Sequence, residues 1–142
     1  MQQLQENKSF SAEVKSEIMK LKVWDSKSNL KQEEQLQRVC VREAFLQAGS
    51  ITDPIKQYHL EIVFKSQEKA EEILQISQKI GIPFRMFERR GNYILYLKEG
   101  QAISNFLAFI GASSSVLRFE EIRVARQMKG EVNRKVNCEA AN

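Results

Sequence analysis

The chain has few of the residue types on which catalytic and metal sites depend. Its 142 residues include two cysteines and one histidine. Cys40 and Cys138 match no metal-ligand spacing, and we expect both to be reduced thiols. The sequence contains no P-loop, no glycine-rich nucleotide loop and no Cys/His cluster. It therefore predicts no metal, no cofactor and no small-molecule substrate.

Long apolar runs are absent as well. No run approaches the roughly 18 residues that a membrane span requires, and Met1 to Lys8 is polar, unlike a secretory signal. We therefore expect a cytoplasmic protein of one ordinary domain, with no membrane partner. Lys and Arg number 22 against 18 Asp and Glu, a formal net charge of +4. This charge permits a polyanionic partner without requiring one.

A helix that is apolar over most of its surface ends abruptly at Gly49. Within residues 39–48 the polar side chains are Arg42, Glu43 and Gln47, which fall within an arc of about 140° at about 100° per residue. Such a helix is buried on more than one side, and Cys40 falls on it. Gly49 fits a C-cap in the left-handed conformation, and a strand over Ser50 to Thr52 follows directly.

Small residues mark one edge of this helix. Ala44 and Ala48 lie one turn apart, and Gly49 is next to them. Another backbone could approach closely along this edge, so Ala44, Ala48 and Gly49 form a candidate helix–helix interface. Because a water-exposed apolar edge is unfavourable, we expect a homodimer joined there by two-fold symmetry. The competing interpretation is that the helix at Val14 to Leu21 covers the edge.

The periodicity after this helix predicts two strands, a helix, a hairpin and a further helix. Tyr58, Leu60, Ile62 and Phe64 alternate with His59, Glu61 and Val63 as in a half-buried strand. Ser66 caps a helix through Ile80. Residues 84–89 and 93–98 form a hairpin around Arg90-Gly91-Asn92, and a helix then ends at Gly111. Counting the strand at Ser50, the order from Leu36 is αββαββα, an α+β fold.

Two further helices flank this repeat. Ser9 or Ser11 caps the first, whose apolar stripe is Val14, Ile18 and Leu21, with Met19 as a further candidate. Trp24 is interpreted as a core anchor, and Asn29 with Gln32 as a capping box. Ser113 to Ser115 cap the final helix, whose predicted inward residues are Ile122, Ala125, Met128, Val132 and Val136. We divide the chain into a flexible tail (1–8), an N-terminal helix (9–24), a polar linker and helix start (25–35), the repeat (36–112) and a basic C-terminal helix (113–142).

Residues 41–51 resemble the LAGLIDADG motif helix and its exit. Further segments, 9–15, 42–54, 58–62, 88–91, 96–99, 106–112 and 132–139, are similar to the LAGLIDADG-like domain of the WhiA family of bacterial regulators. That domain carries two repeats and is joined to a helix-turn-helix domain. This chain passes from the family's opening segment to its second repeat, and neither the first repeat nor the helix-turn-helix is found. A fragment and a natural short form both fit this pattern.

The resemblance implies a nuclease-like fold without nuclease activity. A LAGLIDADG nuclease needs a carboxylate at the end of each motif helix to hold divalent metal, and the matching position here is Ala48. Asp53 is interpreted as a turn former. The resemblance further implies a nucleoid-associated, DNA-binding transcriptional regulator in sporulation and cell division. The alternatives are an interaction or assembly module that does not bind DNA by itself and an active single-motif nuclease, which Ala48 disfavours.

In nuclease relatives the exposed face of the sheet lies along double-stranded DNA, and phosphate contacts require long cations on such a face. The candidate DNA-binding residues are Lys56, His59, Arg85, Arg89, Arg90 and Lys98. A solvated hairpin with ordinary charges is the competing interpretation, as is an exposed pair of His59 with Glu61. The sequence leaves open which hairpin face is exposed, because Arg85 and Arg89 share a face with Phe87. The basic final helix interleaves its cations with Glu120, Glu121, Glu131 and Glu139, which favours a mixed surface.

Overall fold

The computed structural model describes residues 9–23 and 32–141. Its elements are α1 (Phe10–Met19), α2 (Gln32–Ala48), β1 (Gly49–Ile51), β2 (Leu60–Phe64), α3 (Gln67–Lys79), β3 (Arg85–Arg89), β4 (Asn92–Leu97), α4 (Gly100–Phe109) and α5 (Ser113–Ala141), with a short 3₁₀ helix (Lys20–Val23) after α1. From α2 to α4 the order is αββαββα, so the predicted α+β fold is confirmed. The predictions for the tail, Trp24 and Asn29 lie outside the described residues.

The four strands form one antiparallel sheet in the order β1-β2-β4-β3. Alternation places Leu60, Ile62 and Phe64 on its inner face, as predicted, opposite Leu97, Leu95 and Tyr93 of β4. The inner residues belong to a core that also includes side chains of every helix. Glu61 and Val63 lie on the outer face, beside Tyr96 and Ile94. Within the described part of the chain, no helix is long and apolar enough to cross a membrane.

The hairpin of β3 and β4 closes through a two-residue turn. Arg90 and Gly91 both have positive φ, 54° and 79°, as a type I′ turn requires. Met86 packs against the core, so Arg85, Phe87 and Arg89 lie on the outer face of the sheet. The structure thereby shows which side chains of the hairpin face outward, a question that the sequence left open.

Helix α2 is buried mainly in its C-terminal half. Val41, Ala44 and Phe45 are buried, and so is Arg42, with 2% exposure. The Arg42 Nε donates a hydrogen bond to the Ile110 carbonyl, 2.9 Å away, just after α4. This bond satisfies a carbonyl that a helix end leaves without an intrahelical partner. The prediction that Cys40 is buried is wrong, because its side chain is exposed on the less covered half of α2.

Gly49 is needed for packing, and the predicted left-handed C-cap is wrong. Its φ is not among the positive values of Gly81, Gly91 and Gly111, and the helix runs directly into β1 at Gly49. A Cβ at this position would lie 2.2 Å from Phe45 Cδ2 and 2.7 Å from the Phe45 carbonyl oxygen. Since both distances are far below van der Waals contact, any larger residue would displace Phe45 from the core.

Helix α1 is anchored to the start of α5 by two carboxylates. Ser9 caps α1, and Val14 and Ile18 are buried, whereas Met19 is exposed. The Glu17 carboxylate accepts hydrogen bonds from the Ser114 N–H at 2.8 Å, the Ser115 N–H at 2.9 Å and the Ser115 hydroxyl at 2.7 Å. Glu17 therefore supplies the cap that the sequence assigned to Ser113 to Ser115.

Burial raises the pKa of Glu17, but the hydrogen bonds from Ser115 and Ser114 lower it more, so its pKa lies below the ordinary value of 4.5. The positive end of the α5 dipole favours a carboxylate in this place. One turn away along α1, Glu13 accepts a hydrogen bond from the Arg118 guanidinium at 2.8 Å. Both links join α1 to α5, which are distant in sequence.

The predicted inward face of the final helix is wrong. Phe119 is buried, but Met128 and Val132 are each 60% exposed and Val136 is 56% exposed. Ala125 is also exposed, and Ile122 is only half-buried. Residues 131–140 are all exposed, because α5 extends past the sheet and the other described helices. The apolar residues of α5 therefore recur at helical spacing, but no other described element packs against most of them.

Candidate nucleic-acid interface

Four of the six predicted DNA-binding residues share the outer face of the sheet. Arg85 and Arg89 lie on β3 with outward parity. His59 immediately precedes β2 and Lys98 immediately follows β4, and both have the parity of the outward residues Glu61 and Tyr96. Strand alternation thus gathers His59, Arg85, Arg89 and Lys98, which we call the cationic face.

Aromatic side chains hold these groups in position. The His59 ring stacks on Tyr96 with centroids 6.3 Å apart, and Phe87 meets Tyr96 edge to face at 5.4 Å. The Lys98 Nζ lies 5.4 Å from the Tyr96 centroid, and the Arg89 guanidinium lies 5.6 Å from the Phe87 centroid. Cations over aromatic rings are stabilised by the ring quadrupole. Tyr96 and Phe87 therefore order the cationic face.

Sequence reasoning missed the role of these two aromatic residues. Phe87 entered the sequence argument only as an ambiguous indicator of which hairpin face is inside, and Tyr96 was given no role on that face. The available signal was Met86, which the strand period places on the opposite face from Phe87. Phe87 remains 39% exposed on the edge strand β3. A shallow cleft of about 330 Å³ lies beside Tyr96 and is flanked by Arg85 and Lys98.

Glu61 is an acid within the cationic face. Its Oε1 lies 2.9 Å from His59 Nε2, and its Oε2 lies 3.7 Å from Arg89 Nη2. The predicted pairing of His59 with Glu61 is therefore present. Because the Glu61 side chain is 20% exposed, its charge acts partly shielded from water and offsets the neighbouring cations.

The structure places the other two predicted residues at the margins. Lys56 is exposed in the turn after β1, where its N–H donates to the Asp53 carbonyl at 2.9 Å. Asp53 Oδ1 accepts from the Ile55 N–H at 3.0 Å, which agrees with the interpretation of Asp53 as a turn former. Arg90 occupies the hairpin tip. Neither residue lies on the strands that form the cationic face.

The cations of the first half of α5 are engaged within the chain. Arg118 pairs with Glu13, and Arg123 pairs with Glu120 at 2.7 Å. Arg126 donates to the Pro54 carbonyl at 2.8 Å, and its guanidinium lies 4.4 Å from the Tyr58 ring centroid. This helix surface therefore consists of intramolecular contacts of both charge signs, as the interleaved acids indicate.

The predicted helix–helix edge is partly covered by the chain itself. Ala44 and Gly49 are buried, and Ala48 is half-buried. Helix α1 packs beside α2 and β1, close to this edge. The residue at the end of α2, where a nuclease of this fold places its acid, is Ala48. Among residues 9–23 and 32–141, no group of three or more His, Cys, Asp or Glu side chains could hold a metal ion.

Comparison with known sequences decides the family. The family described as the WhiA LAGLIDADG-like domain matches residues 37–129, which form most of the chain. The chain belongs to the WhiA family. It is 44% identical over 115 residues to a protein of Caldicellulosiruptor bescii named "Probable cell division protein WhiA". A Clostridium perfringens protein of the same name is 42% identical over 114 residues.

Solved WhiA structures share this fold. Full-length WhiA from Thermatoga maritima superposes with a TM-score of 0.64 at 32% identity, covering 77% of this chain and 39% of that one. The N-terminal LAGLIDADG domain of a WhiA superposes with a TM-score of 0.53 at 31% identity, covering 56% and 44%. The matches cover 78% and 80% of this chain but only 35% and 36% of the two bacterial relatives. The chain thus spans about a third of the length of the WhiA proteins it matches.

Proposed function

We propose that this WhiA-family domain binds double-stranded DNA through the cationic face and contributes to transcriptional regulation of cell division and sporulation. The observation that carries the proposal is the placement of Arg85, Arg89, His59 and Lys98 on one exposed sheet face. Family membership supports it, and so does the cell-division role in the names of the relatives. On this proposal the domain works in the cytoplasm, at the nucleoid.

Recognition by this face is mainly a contact with phosphates. Arg85, Arg89 and Lys98 supply long cationic side chains from adjacent strands, and such groups position a protein on DNA without reading its sequence. Phe87 limits the freedom of Arg89, and Tyr96 limits that of Lys98, in the unbound protein. Since less side-chain entropy is then lost on binding, the ordered cations favour association. Affinity on this account is moderate, sequence-tolerant and strongly salt-dependent.

The proposed domain does not cut DNA. A LAGLIDADG nuclease requires a metal-binding carboxylate where α2 ends, and the methyl group of Ala48 cannot serve as a ligand. Asp53, the nearest acid in sequence, holds its own turn through the Ile55 N–H. On this proposal the sheet face contacts DNA, and the motif helix α2 lacks the metal-binding acid that cleavage requires.

A titration of unrelated duplexes with purified protein tests the proposal. Arg85→Ala with Arg89→Ala should weaken binding to each duplex by about the same factor, roughly tenfold or more at low salt. The matched control is Lys69→Ala with Lys79→Ala on α3, which removes the same charge from the layer behind the sheet. The proposal fails if both double variants lose affinity equally, or if the wild type binds no duplex at low salt.

The second candidate function is a protein-interaction or assembly module that does not bind DNA by itself. The observation that favours it is the exposed apolar surface of α5, which includes Met128, Val132 and Val136. Absence of DNA binding at low salt, combined with self-association or partner binding through α5, would select this function over the first.

A further inference from the structure

An exposed apolar stripe runs along α5. Its members are 53–68% exposed and consist of Leu117, Val124, Met128, Val132 and Val136. At about 100° per residue these five side chains project within about 120° of one another, on the opposite side of the helix from buried Phe119. The stripe therefore faces away from the core that holds α5 in place.

This stripe is costly to leave in water. Exposed apolar residues are ordinary when scattered, but these recur at intervals of four or seven residues on one face of one helix. The C-terminal part of α5, residues 131–140, is exposed on all sides, so no other described element supports it. A helix of this kind gains stability mainly by packing its apolar face on another element. The stripe thus fits a helical partner.

The charges on the stripe are complementary to those of a second, antiparallel copy of α5. Glu121 and Lys135 project from the same side of the helix as the stripe. Along the helix, Glu121 lies seven residues before Met128 and Lys135 lies seven residues after it. If two α5 helices pair antiparallel about Met128, Glu121 of each copy faces Lys135 of the partner subunit. The same register places Val124 opposite Val132. A parallel pair would instead place Glu121 against Glu121 and Lys135 against Lys135, which is unfavourable.

We propose that two copies of this chain associate through α5 as an antiparallel, two-fold symmetric helix pair centred on Met128. The centre of the interface consists of Val124, Met128 and Val132 of each copy. One Glu121–Lys135 ion pair lies at each end of this central part. Two-fold symmetry makes each contact occur twice and closes the assembly at a dimer. The proposal does not depend on DNA binding, and it differs from the predicted dimer through Ala44, Ala48 and Gly49.

Sedimentation over about a hundredfold range of concentration tests the dimer. The wild type should shift from monomer to dimer, and Met128→Lys should weaken dimerisation by about tenfold or more, because two lysines would meet at the symmetry axis. Asn137→Lys adds the same charge on the opposite side of α5 and should leave the dimer intact. A wild type that stays monomeric throughout overturns the proposal. So does a dimer that Ala48→Leu disrupts and Met128→Lys does not.

Charge reversal tests the antiparallel register. Glu121→Lys and Lys135→Glu should each weaken the dimer, and the double variant should restore it, because the ion pairs re-form with reversed sign. In a parallel pair the double variant would still place like charges together. Failure of the double variant to recover dimerisation therefore contradicts the proposed register. Circular dichroism of each variant confirms that the exposed substitutions leave the fold unchanged.

A distance between spin labels gives a third test. Cys138 is exposed, and Cys40→Ser leaves it as the single labelling position. Ten residues separate Cys138 from Met128, so an antiparallel pair places the two label sites about 30 Å apart along the axis, at 1.5 Å per residue. A parallel pair places them at about the interhelical spacing of 10 Å. A short distance in the dimer overturns the proposed arrangement.

Discussion

At the scale of single residues, Glu61 controls how much positive charge the sheet presents. Its carboxylate lies within reach of both His59 and Arg89, and it would face the phosphates of bound DNA. Glu61→Gln removes that negative charge and frees Arg89 to contact a phosphate. We expect DNA affinity to rise by about threefold, or roughly 0.5–1 kcal/mol, as for a partly exposed ion pair.

The matched control for Glu61→Gln is Glu88→Gln. Glu88 lies on β3 next to Arg89 but points to the opposite side of the strand. Fluorescence anisotropy with one labelled duplex compares the two variants at fixed salt. If Glu88→Gln raises DNA affinity as much as Glu61→Gln, the rise comes from the net charge of the protein and not from contacts of the cationic face.

Single residues also show where sequence reasoning is limited. The end of the helix at Gly49 was predicted, but the requirement for glycine was not, because it comes from the Phe45 ring that occupies the space of a Cβ. Arg42 was assigned to a polar arc, yet it is buried and bonds to the Ile110 carbonyl. Both contacts depend on the three-dimensional path of the chain. Local pattern gives the position of such a residue and not its partner.

At the scale of elements, the junction of α1 with α5 depends on Glu17. Glu17→Gln keeps the shape of the side chain but loses the charge that favours the α5 N-terminus. We expect the free energy of unfolding at pH 7 to fall by about 1 kcal/mol, the usual cost of losing a helix cap. Urea unfolding measures this loss, and Glu72→Gln on the exposed side of α3 is the matched control.

The direction of the Glu17 pKa shift determines how the stability lost in Glu17→Gln changes with pH. The folded pKa of Glu17 lies below its ordinary value of 4.5, so the stabilisation is fully present above that value. It is lost as pH falls through the lower folded pKa, where the carboxylate is protonated in both states. The difference between wild type and Glu17→Gln should therefore shrink below about pH 4. A difference that stays constant down to pH 2 would show that charge is not involved.

The elements themselves were predictable where one face meets the core. The inner residues of β2, the helix from Ser66 and the αββαββα order follow from apolar period and turn residues. The same rule failed for the second half of α5, because apolar period does not say whether a partner surface exists. The link of Glu17 to Ser114 and Ser115 was also missed, since it joins residues 97 and 98 positions apart.

At the scale of the whole molecule, we expect the protein to have no nuclease activity. Purified protein incubated with supercoiled plasmid and magnesium or manganese should leave the plasmid uncut, because Ala48 replaces the acid of the motif helix. Agarose gels resolve nicked from supercoiled DNA. Metal-dependent nicking that disappears in Asp53→Asn would contradict the prediction and assign Asp53 a catalytic role.

Family membership and side-chain placement contribute different parts of this account. The resemblance carried by scattered segments led to the WhiA family, which comparison over residues 37–129 confirmed. It also implied a sheet face for DNA, but parity on the hairpin decided which cations share that face. Arg90 was a candidate because of its place at the hairpin tip, and Lys56 because of its charge, but the structure places both at the margins of the cationic face. The cationic residue types therefore suggested DNA as the ligand, and the strand register showed which of those residues share one face of the sheet.

The central claim is that the cationic face contacts DNA phosphates, and the salt dependence of binding tests it most directly. The logarithm of affinity for one duplex is measured against the logarithm of salt concentration for wild type and for Arg85→Ala with Arg89→Ala. The account predicts a steep wild-type slope that the double variant flattens by about two phosphate contacts. Equal slopes for the two proteins would contradict it.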